Sequence, residues 1–468
     1  MQIKLGFYGA ARNVTGSKYY IEANGNKFLI DCGMYQERFL KDRNWEPFPF
    51  QPDALDAVLL THAHIDHCGM LPKLVRDGFK GRIYCTDATA DIAKIMLTDS
   101  ARLQEEDALN KKRRHENEGR KGRYPEVPLY TEQDAEACYP LFHPVPYGRT
   151  LRLADGFEAI FHDAGHVLGS SSLMLKIDRN GETRNVLFSG DVGRRNRPIL
   201  RDPTLFGEAD YIIVESTYGN KLHDNGDKIA DELADVINST VEAGGNIVVP
   251  SFALERSQEI LYYMNGLLAA DRIPHILVFF DSPMAVSITE IFENHLDLFD
   301  KEARDMIKRG DSPFSFPGLT RVSTTDESKA INRISGSIMI IAGSGMCNGG
   351  RVKHHLVSNI SRRESTILFV GYQAVGTLGR QIVDGSKKVR ILGNNYKVKA
   401  RIAQMNGFSA HADREDLLQW LSSIKSRPRG VFVVHGEERA SASFADAVKE
   451  KFGWEVSVPQ YKDEVTLD

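Results

Sequence analysis

Three histidines and one aspartate crowd the segment His62–His67, which reads His-Ala-His-Ile-Asp-His. Neutral imidazoles are good zinc ligands, and carboxylates add harder oxygen ligands, so this set suits two adjacent divalent ions. Alternation along an extended chain would point His62 and His64 the same way, while Asp66 and His67 turn towards a second ion. A polar surface loop is the alternative interpretation, but it gives no reason for such crowding.

A pair of metal ions needs ligands from elsewhere in the chain, and three candidates follow apolar runs. His166 lies in the loop segment Asp-Ala-Gly-His, Asp191 follows the run 185–188, and His435 follows two valines. A lone histidine after a strand is usually structural. His435 is therefore a candidate metal ligand only because the other candidates occur in the same chain.

Short β-rich runs before and after the histidine-rich segment would position it. A turn at Asn24-Gly25 separates two of these runs, as expected for a hairpin. The strands predicted in the first part of the chain are 3–7, 18–21, 27–30, 54–60, 82–85, 158–162, 173–177, 185–188 and 211–214.

The pattern changes between about 225 and 390, where helical and strand-like runs alternate. We predict helices at 229–243 and 258–268 and strands at 246–249, 275–280 and 338–341. Such alternation favours a parallel sheet with helices on its faces. After about 395 the chain returns to strands, at 397–403 and 431–434, around a helix at 413–424.

Seven short motifs together resemble those of β-CASP proteins of the metallo-β-lactamase superfamily. The motifs occur in the family's order and span nearly the whole chain. They are centred on Asp31, on the segment His62–His67, and on His166, Asp191, Glu215, His411 and His435. The resemblance implies an α/β protein with a four-layer αββα metallo-β-lactamase fold and an inserted α/β, parallel-sheet β-CASP domain. Residues 1–208 and 396–468 would form the first domain and residues 209–395 the second.

The resemblance also implies a ligand set for two zinc ions per chain. Asp191 would bridge the two ions, and Asp31 would orient a ligand histidine from behind. One zinc would be held by His62, His64, His166 and Asp191, and the other by Asp66, His67, Asp191 and His435.

Histidine at position 435 points to RNA, because RNA-acting members of the family resemble this chain there, whereas DNA-repair members have valine. We therefore expect hydrolysis of single-stranded RNA, mainly at internal bonds, with a 5′-phosphate and a 3′-hydroxyl as products. A 5′-to-3′ exonuclease mode stays open. Dimerisation is an expectation from the resemblance alone.

The expected mechanism uses water activated by the two ions, with Asp66 as a proton acceptor. His411, kept protonated by Glu215, would protonate the leaving ribose oxygen. An ion pair that closes the domain junction is the alternative role for Glu215 and His411.

We expect the substrate contacts to lie in loops of the predicted inserted domain. A glycine-rich stretch at 343–350 could present backbone N–H groups to phosphates, or could simply form a tight turn. Phe252 could stack on a base, or could belong to the core. The candidate RNA-binding residues are Ser251, Phe252, Arg256, Ser344, Gly345, Arg351 and Lys353.

Net charge is −4, which by itself argues mildly against a nucleic-acid partner. Residues 351–400, however, hold ten Lys/Arg and two acids, a local charge of +8 on an otherwise acidic chain. This distribution suits a polyanion groove. Residues 100–125 are also highly charged, and there we favour a solvated helix or an excursion over an RNA contact.

The five cysteines are widely spaced without a C-x-x-C pair, which predicts reduced thiols rather than a disulfide framework. No apolar run approaches the roughly 18 residues of a membrane span, and we expect a cytoplasmic protein without a membrane partner. Two other functions stay open: a hydrolase of small esters, thioesters or lactams, and a non-catalytic RNA-binding subunit.

Overall fold

The protein is described from a computed structural model. It covers residues 2–121, 125–179, 181–223, 228–374, 376–405 and 407–468. Residues 122–124 of the charged segment predicted above lie outside these ranges. None of the helices in the described ranges combines the length and the apolar character needed to cross a bilayer.

The secondary structure follows the chain as mixed strands and helices, which we number in chain order. The strands are β1 (Ile3–Phe7), β2 (Tyr19–Ala23), β3 (Asn26–Ile30), β4 (Ala57–Leu59), β5 (Arg82–Cys85), β6 (Phe142–Pro144), β7 (Thr150–Ala154), β8 (Phe157–Asp163), β9 (Ser171–Arg179), β10 (Glu182–Phe188), β11 (Tyr211–Val214), β12 (Ile247–Pro250), β13 (Leu277–Asp281), β14 (Leu319–Arg321), β15 (Ile338–Ala342), β16 (Thr366–Phe369), β17 (Lys388–Ile391), β18 (Asn394–Lys397), β19 (Arg401–Gln404), β20 (Gly430–Val433), β21 (Val456–Ser457) and β22 (Glu464–Leu467). The helices are α1 (Ile65–Cys68), α2 (Leu71–Arg76), α3 (Asp87–Glu118), α4 (Glu132–Glu136), α5 (Ile229–Glu242), α6 (Arg256–Ala269), α7 (Pro283–Asn294), α8 (Lys301–Lys308), α9 (Thr325–Ile331), α10 (Val352–Asn359), α11 (Leu378–Val383), α12 (Arg414–Leu421) and α13 (Glu438–Phe452).

The chain divides into two compact units. Unit 1 comprises Met1–Asn196, Arg201–Leu222 and His411–Asp468, and unit 2 comprises Arg197–Leu200 and His223–Ala410. Strand β11 pairs with β10 and β20 inside a sheet of unit 1, so this unit continues past the domain boundary at 208 that we predict from the sequence. The predicted domain limits remain an expectation.

Unit 1 contains two facing sheets with helices outside them. Their strand orders, within the described residues, are β22-β1-β2-β3-β4-β5-β6 and β21-β20-β11-β10-β9-β8-β7. Apolar side chains from both sheets share one core: the rings of Phe28 and Phe157 lie 5.0 Å apart. Helices α12 and α13 pack on the outer face of the second sheet, and α3 contacts the first sheet at β6. This is the predicted four-layer α/β architecture.

Unit 2 is built on a parallel sheet in the order β14-β13-β15-β12-β16-β19. Val248, Ile340 and Ile367 from its central strands pack against Val352 and Leu356 of α10. The predicted alternation of helices and strands between 225 and 390 therefore corresponds to an α/β unit, as expected.

One predicted strand is wrong. The run 397–403 is not continuous, because β18 pairs with β17 in a small hairpin whereas β19 joins the main sheet of unit 2. Between them, the backbone N–H groups of Lys399 and Ala400 both donate to the carbonyl of Ile360 and turn the chain. Local β propensity could not reveal this break, because the hydrogen-bond partner is distant in sequence.

Candidate metal centre

The histidine-rich segment lies in unit 1 where the chain passes from β4 into α1. His62 and His64 precede the helix, which begins directly after His64. Alternate residues of an extended chain point to one side, and His62 Nε2 lies 3.0 Å from His64 Nδ1. Asp66 and His67 lie within α1 and face a second group of side chains.

The other three predicted ligands lie in loops that follow strands of the second sheet. His166 follows β8, Asp191 follows β10 and His435 follows β20. Because β10, β11 and β20 run parallel to one another, the loops carrying Asp191 and His435 leave the same edge of the sheet. Gly190 permits the sharp turn before Asp191, since its φ is +56° and an added Cβ would lie 2.7 Å from the carbonyl oxygen of Ser171.

Four of these side chains form a first group of possible metal ligands, which are His62, His64, His166 and Asp191. His166 Nε2 lies 3.3 Å from His64 Nδ1. Asp191 Oδ2 lies 3.5 Å from both His62 Nε2 and His166 Nε2. All four ligand atoms therefore surround one point.

A second group contains Asp66, His67 and His435. The Nε2 atoms of His67 and His435 lie 3.0 Å apart, and Asp66 Oδ2 lies 3.5 Å from His435 Nε2. Asp191 Oδ1 lies 3.3 Å from His67 Nε2, so the two carboxylate oxygens of Asp191 face different groups. Among the described residues, Asp191 Oδ1 is buried without a hydrogen-bond donor.

These spacings fit divalent metal ions. A tetrahedral zinc with ligand bonds of about 2.0–2.1 Å requires its ligand atoms to stand roughly 3.3 Å apart, close to the separations measured in both groups.

Burial also keeps the first group ready to bind a cation. It lowers the pKa of His64 to about 4 and holds the pKa values of His62 and His166 well below the usual range, which favours neutral imidazoles. Burial opposes ionisation of Asp66, but hydrogen bonding to His435 and nearby imidazoles hold its pKa below the usual value. Neutral imidazoles and ionised carboxylates are the ligand forms that zinc requires.

Asp31 contacts His67, and its role in orienting that ring remains a prediction. Its Oδ2 lies 2.7 Å from His67 Nδ1, which leaves His67 Nε2 facing the centre. Thr61 anchors the carboxylate by donating from its backbone N–H at 2.7 Å and from its hydroxyl at 2.8 Å. A carboxylate behind a ligand histidine fixes the ring and its tautomer.

Thr61 and Thr217 contact two of the candidate ligand histidines, and sequence reasoning assigned neither threonine a role. The Thr217 hydroxyl lies 3.1 Å from His435 Nδ1, and that of Thr61 lies 3.1 Å from His62 Nδ1. Both threonines directly adjoin or nearly adjoin a predicted site residue. Their small hydroxyl side chains could have suggested such support.

Glu215 and His411 form a pair beside the first group. His411 Nδ1 lies 3.2 Å from both carboxylate oxygens of Glu215, and its ring centroid lies 4.4 Å from that of His166. Glu215 is fully buried, and its Oε1 accepts a backbone N–H from Val192 at 2.7 Å. Burial opposes protonation of His411, but Glu215 raises the pKa of His411 to about 9.

Four of the predicted RNA-binding residues lie together in unit 2. Ser251 and Phe252 follow β12, while Ser344 and Gly345 follow the adjacent parallel strand β15. A Cβ at Gly345 would lie 2.7 Å from the ring of Phe252, so glycine permits this close contact. Phe252 is 42% exposed, which leaves ring surface for a ligand.

The two arginines predicted to bind RNA make internal ion pairs. Arg256 Nη1 donates to Glu259 at 2.6 Å and is buried. Arg351 Nη1 donates to the buried Asp281 at 2.7 Å. Lys353 lies partly exposed near the start of α10. The RNA contacts of all seven residues remain a prediction.

Replacement of Gly33 by alanine is expected to disturb the second group. An added Cβ at Gly33 would lie 1.6 Å from the carbonyl oxygen of Asp66, so α1 must shift. We expect the free energy of unfolding to fall by about 1–3 kcal/mol and zinc to bind more weakly. Denaturant unfolding and zinc titration measure the two effects. Gly207→Ala is the control, because nothing lies within 4 Å of its added Cβ; equal behaviour of the two variants would contradict the prediction.

Comparisons with known proteins agree with this fold. A model of the metallo-β-lactamase superfamily matches residues 13–233, and a model of the Beta-Casp domain matches residues 257–382. Residues 395–459 match a model described as a Zn-dependent metallo-hydrolase RNA specificity domain. The chain belongs to the β-CASP family of the metallo-β-lactamase superfamily, a family of metal-dependent hydrolases.

Curated relatives cover the chain almost from end to end. Ribonuclease TTHA0252 of Thermus thermophilus is 37% identical over 462 residues, with 98% of this chain and 99% of the relative aligned. Transcription termination factor FttA of Methanocaldococcus jannaschii is 32% identical, over 99% of this chain and 72% of the relative. An RNase J-like protein of the same organism is 28% identical over 95% of this chain and 94% of the relative.

A solved structure also shares the fold. It is described as a protein of unknown function from Enterococcus faecalis V583, and it superposes with a TM-score of 0.56 and 12% sequence identity. The alignment covers 100% of both chains. At this identity the likeness concerns the fold alone.

Proposed function

We propose that this chain is a zinc-dependent ribonuclease that hydrolyses phosphodiester bonds of single-stranded RNA, mainly at internal positions. The observation that carries the proposal is Asp191, whose two oxygens face two separate groups of ligand atoms. Two neighbouring ions held by one carboxylate suit phosphodiester hydrolysis. The relatives named ribonuclease and RNase J-like support RNA as the substrate.

The proposed ligand residues are those expected from the sequence. His62, His64, His166 and Asp191 would hold one zinc ion, and Asp66, His67, Asp191 and His435 would hold the other. Bound zinc would supply Lewis-acid activation of water and of a phosphate oxygen near neutral pH. Asp31 would keep His67 in the tautomer that presents Nε2 to the centre.

In this proposal Asp66 accepts a proton from the attacking water, and His411 donates a proton to the leaving oxygen. Water adds to phosphorus and loses its proton to Asp66, while the bond from phosphorus to the ribose 3′-oxygen breaks. His411 protonates that oxygen. Because Glu215 lies against His411 Nδ1, Nε2 is the nitrogen that donates. The products are a 5′-phosphate and a 3′-hydroxyl.

Unit 2 would contribute the grip on the RNA backbone. Backbone N–H groups around Ser344 and Gly345 and the exposed ring of Phe252 offer phosphate and base contacts. The positive charge of residues 351–400 would add non-specific attraction. Cytoplasmic location and a homodimer are further expectations of this proposal.

Incubation with RNA and a chelator tests the function. RNA labelled at its 5′ end or at its 3′ end should be cut internally, cutting should stop with chelator, and added zinc should restore it. His64→Ala should abolish cutting, because the first group loses a ligand. His143→Ala is the matched control, since His143 Nδ1 lies against the carbonyl of Leu141, outside both groups.

The same assay separates the rival functions. A chromogenic lactam and a thioester run beside the RNA would reveal a hydrolase of small substrates. Binding of RNA without cutting, by protein that carries two zinc ions, would indicate a non-catalytic subunit. Either result would overturn the ribonuclease proposal and leave the fold unchanged.

A further inference from the structure

Phe39 is the most exposed large hydrophobic side chain in the described part of the chain. It lies in unit 1, in the loop that follows β3, and it is 81% exposed. Single exposed apolar side chains are common on protein surfaces, so exposure alone identifies no site. The residues around Phe39 and their hydrogen bonds indicate a site here.

A tight turn presents the ring of Phe39 to solvent. The carbonyl oxygen of Glu37 accepts the backbone N–H groups of Leu40 at 2.9 Å and of Lys41 at 3.0 Å. These bonds close a turn over residues 37–41, and Phe39 lies at its tip. A turn fixed in this way loses little conformational freedom when a ligand binds.

Glu37 also ties this turn to the loop 13–15. Its Oε1 accepts the backbone N–H groups of Val14 at 3.1 Å and of Thr15 at 3.0 Å. Its Oε2 accepts the hydroxyl of Thr15, and the oxygen of that hydroxyl accepts the backbone N–H of Gln36 at 2.8 Å. The turn is therefore held against this loop at two positions.

The chain on either side of that loop borders the second group of candidate metal ligands. Ser17 Oγ lies 3.4 Å from His67 Nε2. The carbonyl oxygen of Ala10 accepts the backbone N–H of His435 at 2.7 Å. The turn is thus connected, through a short segment of unit 1, to the rim of the candidate metal centre.

One strand of RNA can reach both Phe39 and the candidate metal centre. Phe39 is two residues from Glu37, Thr15 is two residues from Ser17, and two extended residues span about 7 Å. With the hydrogen bonds given above, the Cα atom of Phe39 lies no more than about 30 Å from His67 Nε2. Sites for single-stranded nucleic acid cover about 4–16 nucleotides, which is enough to span this distance.

The charges around Phe39 favour a polyanion. Residues 38–43 carry three bases and one acid, a net charge of +2 on a chain whose net charge is −4. Arg38 and Lys41 are exposed, and within the described ranges neither forms an ion pair at 4.0 Å or less. Their charges are therefore available to phosphate oxygens.

We propose that Phe39 stacks on a base of single-stranded RNA, while Arg38 and Lys41 contact the neighbouring phosphates. The inference rests on the proposed function, to which it adds a substrate contact in unit 1. Aromatic side chains beside positive charge are typical of sites that bind single strands without reading their sequence. The contact therefore contributes affinity and little base preference.

A protein partner fits this surface less well than a base does. Gln36, Arg38, Lys41 and Asp42 are polar or charged and exposed, so the ring of Phe39 is the main apolar surface of the turn. One ring is enough for one base. Stable protein interfaces, by contrast, bury about 1,200 Å² or more and have few charges at their centre.

Replacement of Phe39 by alanine tests the stacking contact. Binding is measured by fluorescence anisotropy with an unstructured labelled RNA of about 16 nucleotides, in a His411→Ala parent chain so that cutting is slow. Phe39→Ala should weaken binding by about 5- to 100-fold, and Phe39→Trp should restore it. Leu103→Ala is the matched control, because Leu103 is an apolar side chain of α3 that is 49% exposed.

Removal of single bases from the RNA distinguishes stacking from a structural effect. One abasic position should weaken binding to the parent chain by a similar factor, and it should have no further effect on Phe39→Ala. Arg38→Gln and Lys41→Gln should each reduce the slope of log affinity against log salt by about 0.7. Lys301→Gln, which removes an exposed cation from α8 in unit 2, should leave the slope unchanged.

Equal binding by Phe39→Ala and the parent chain would overturn the inference, and so would an abasic effect that persists in Phe39→Ala. Loss of self-association in sedimentation equilibrium, with RNA affinity unchanged, would assign the ring to a protein contact instead. Cutting is followed separately in chains that retain His411. Cutting below KM that does not depend on Phe39 contradicts this inference alone, whereas Phe39-dependent binding without any cutting contradicts the ribonuclease proposal alone.

Discussion

Replacement of Asp191 by asparagine is expected to reduce RNA hydrolysis by about 1000-fold or more. In the original chain, Asp191 Oδ2 lies 3.5 Å from His62 Nε2, and Asp191 Oδ1 lies 3.3 Å from His67 Nε2. Asparagine has the same shape, but it presents a carbonyl oxygen to one group and an N–H donor to the other. One group therefore loses a ligand, and bound zinc should fall from two ions to one or fewer per chain.

Elemental analysis of the purified protein and single-turnover cleavage of labelled RNA measure the two effects of Asp191→Asn. Asp163→Asn is a suitable control. Asp163 lies three residues before His166 and accepts the backbone N–H of Gly165 at 3.0 Å, a bond that an amide oxygen can also accept. If Asp191→Asn kept two zinc ions and cleaved RNA nearly as fast as the original chain, the proposal that Asp191 is shared by two zinc ions would be wrong.

The positions of the candidate ligands in loops that follow strands could be predicted from local sequence. A buried apolar run predicts a strand, and a polar side chain directly after it predicts a loop at the sheet edge. This reasoning located Asp191 after β10 and His435 after β20. It could not bring them together, because the meeting of β10, β11 and β20 in one sheet depends on long-range pairing. The order of the family motifs supplied that step.

The partners of the supporting side chains could not be predicted from the sequence, for a different reason. Thr61 and Thr217 act through hydroxyl groups whose partners are set by side-chain direction. Arg256 and Arg351 look like phosphate ligands when only residue type is considered, yet internal carboxylates engage both. The sequence shows that a residue is basic. Whether its side chain is free to bind phosphate depends on which acidic side chains the fold brings near it.

The charged segment at 100–125 also shows what the structure adds to composition. Composition alone favours a solvated helix over an RNA contact. The structure adds that the charged residues 105–107 and 111–114 are exposed, or partly exposed at Glu105, on a continuous helix, Asp87–Glu118.

Replacement of His411 by alanine is expected to slow RNA cleavage by about 100- to 10,000-fold while both zinc ions remain bound. His411 lies outside both groups of proposed ligands, and Glu215 lies 3.2 Å from its Nδ1. Its proposed task is to protonate the departing ribose 3′-oxygen. Loss of that proton should slow bond cleavage and leave RNA affinity nearly unchanged.

A substrate with a better leaving group separates this role from a structural one. In RNA with sulfur in place of the bridging 3′-oxygen, the departing thiolate needs no proton, because thiols are far more acidic than alcohols. The difference between His411→Ala and the original chain should therefore shrink strongly on this substrate. Glu215→Gln should behave in the same direction, because the amide no longer stabilises a protonated His411. An undiminished difference on the sulfur substrate would assign His411 to the architecture of the centre, and loss of zinc in Glu215→Gln would make Glu215 a ligand.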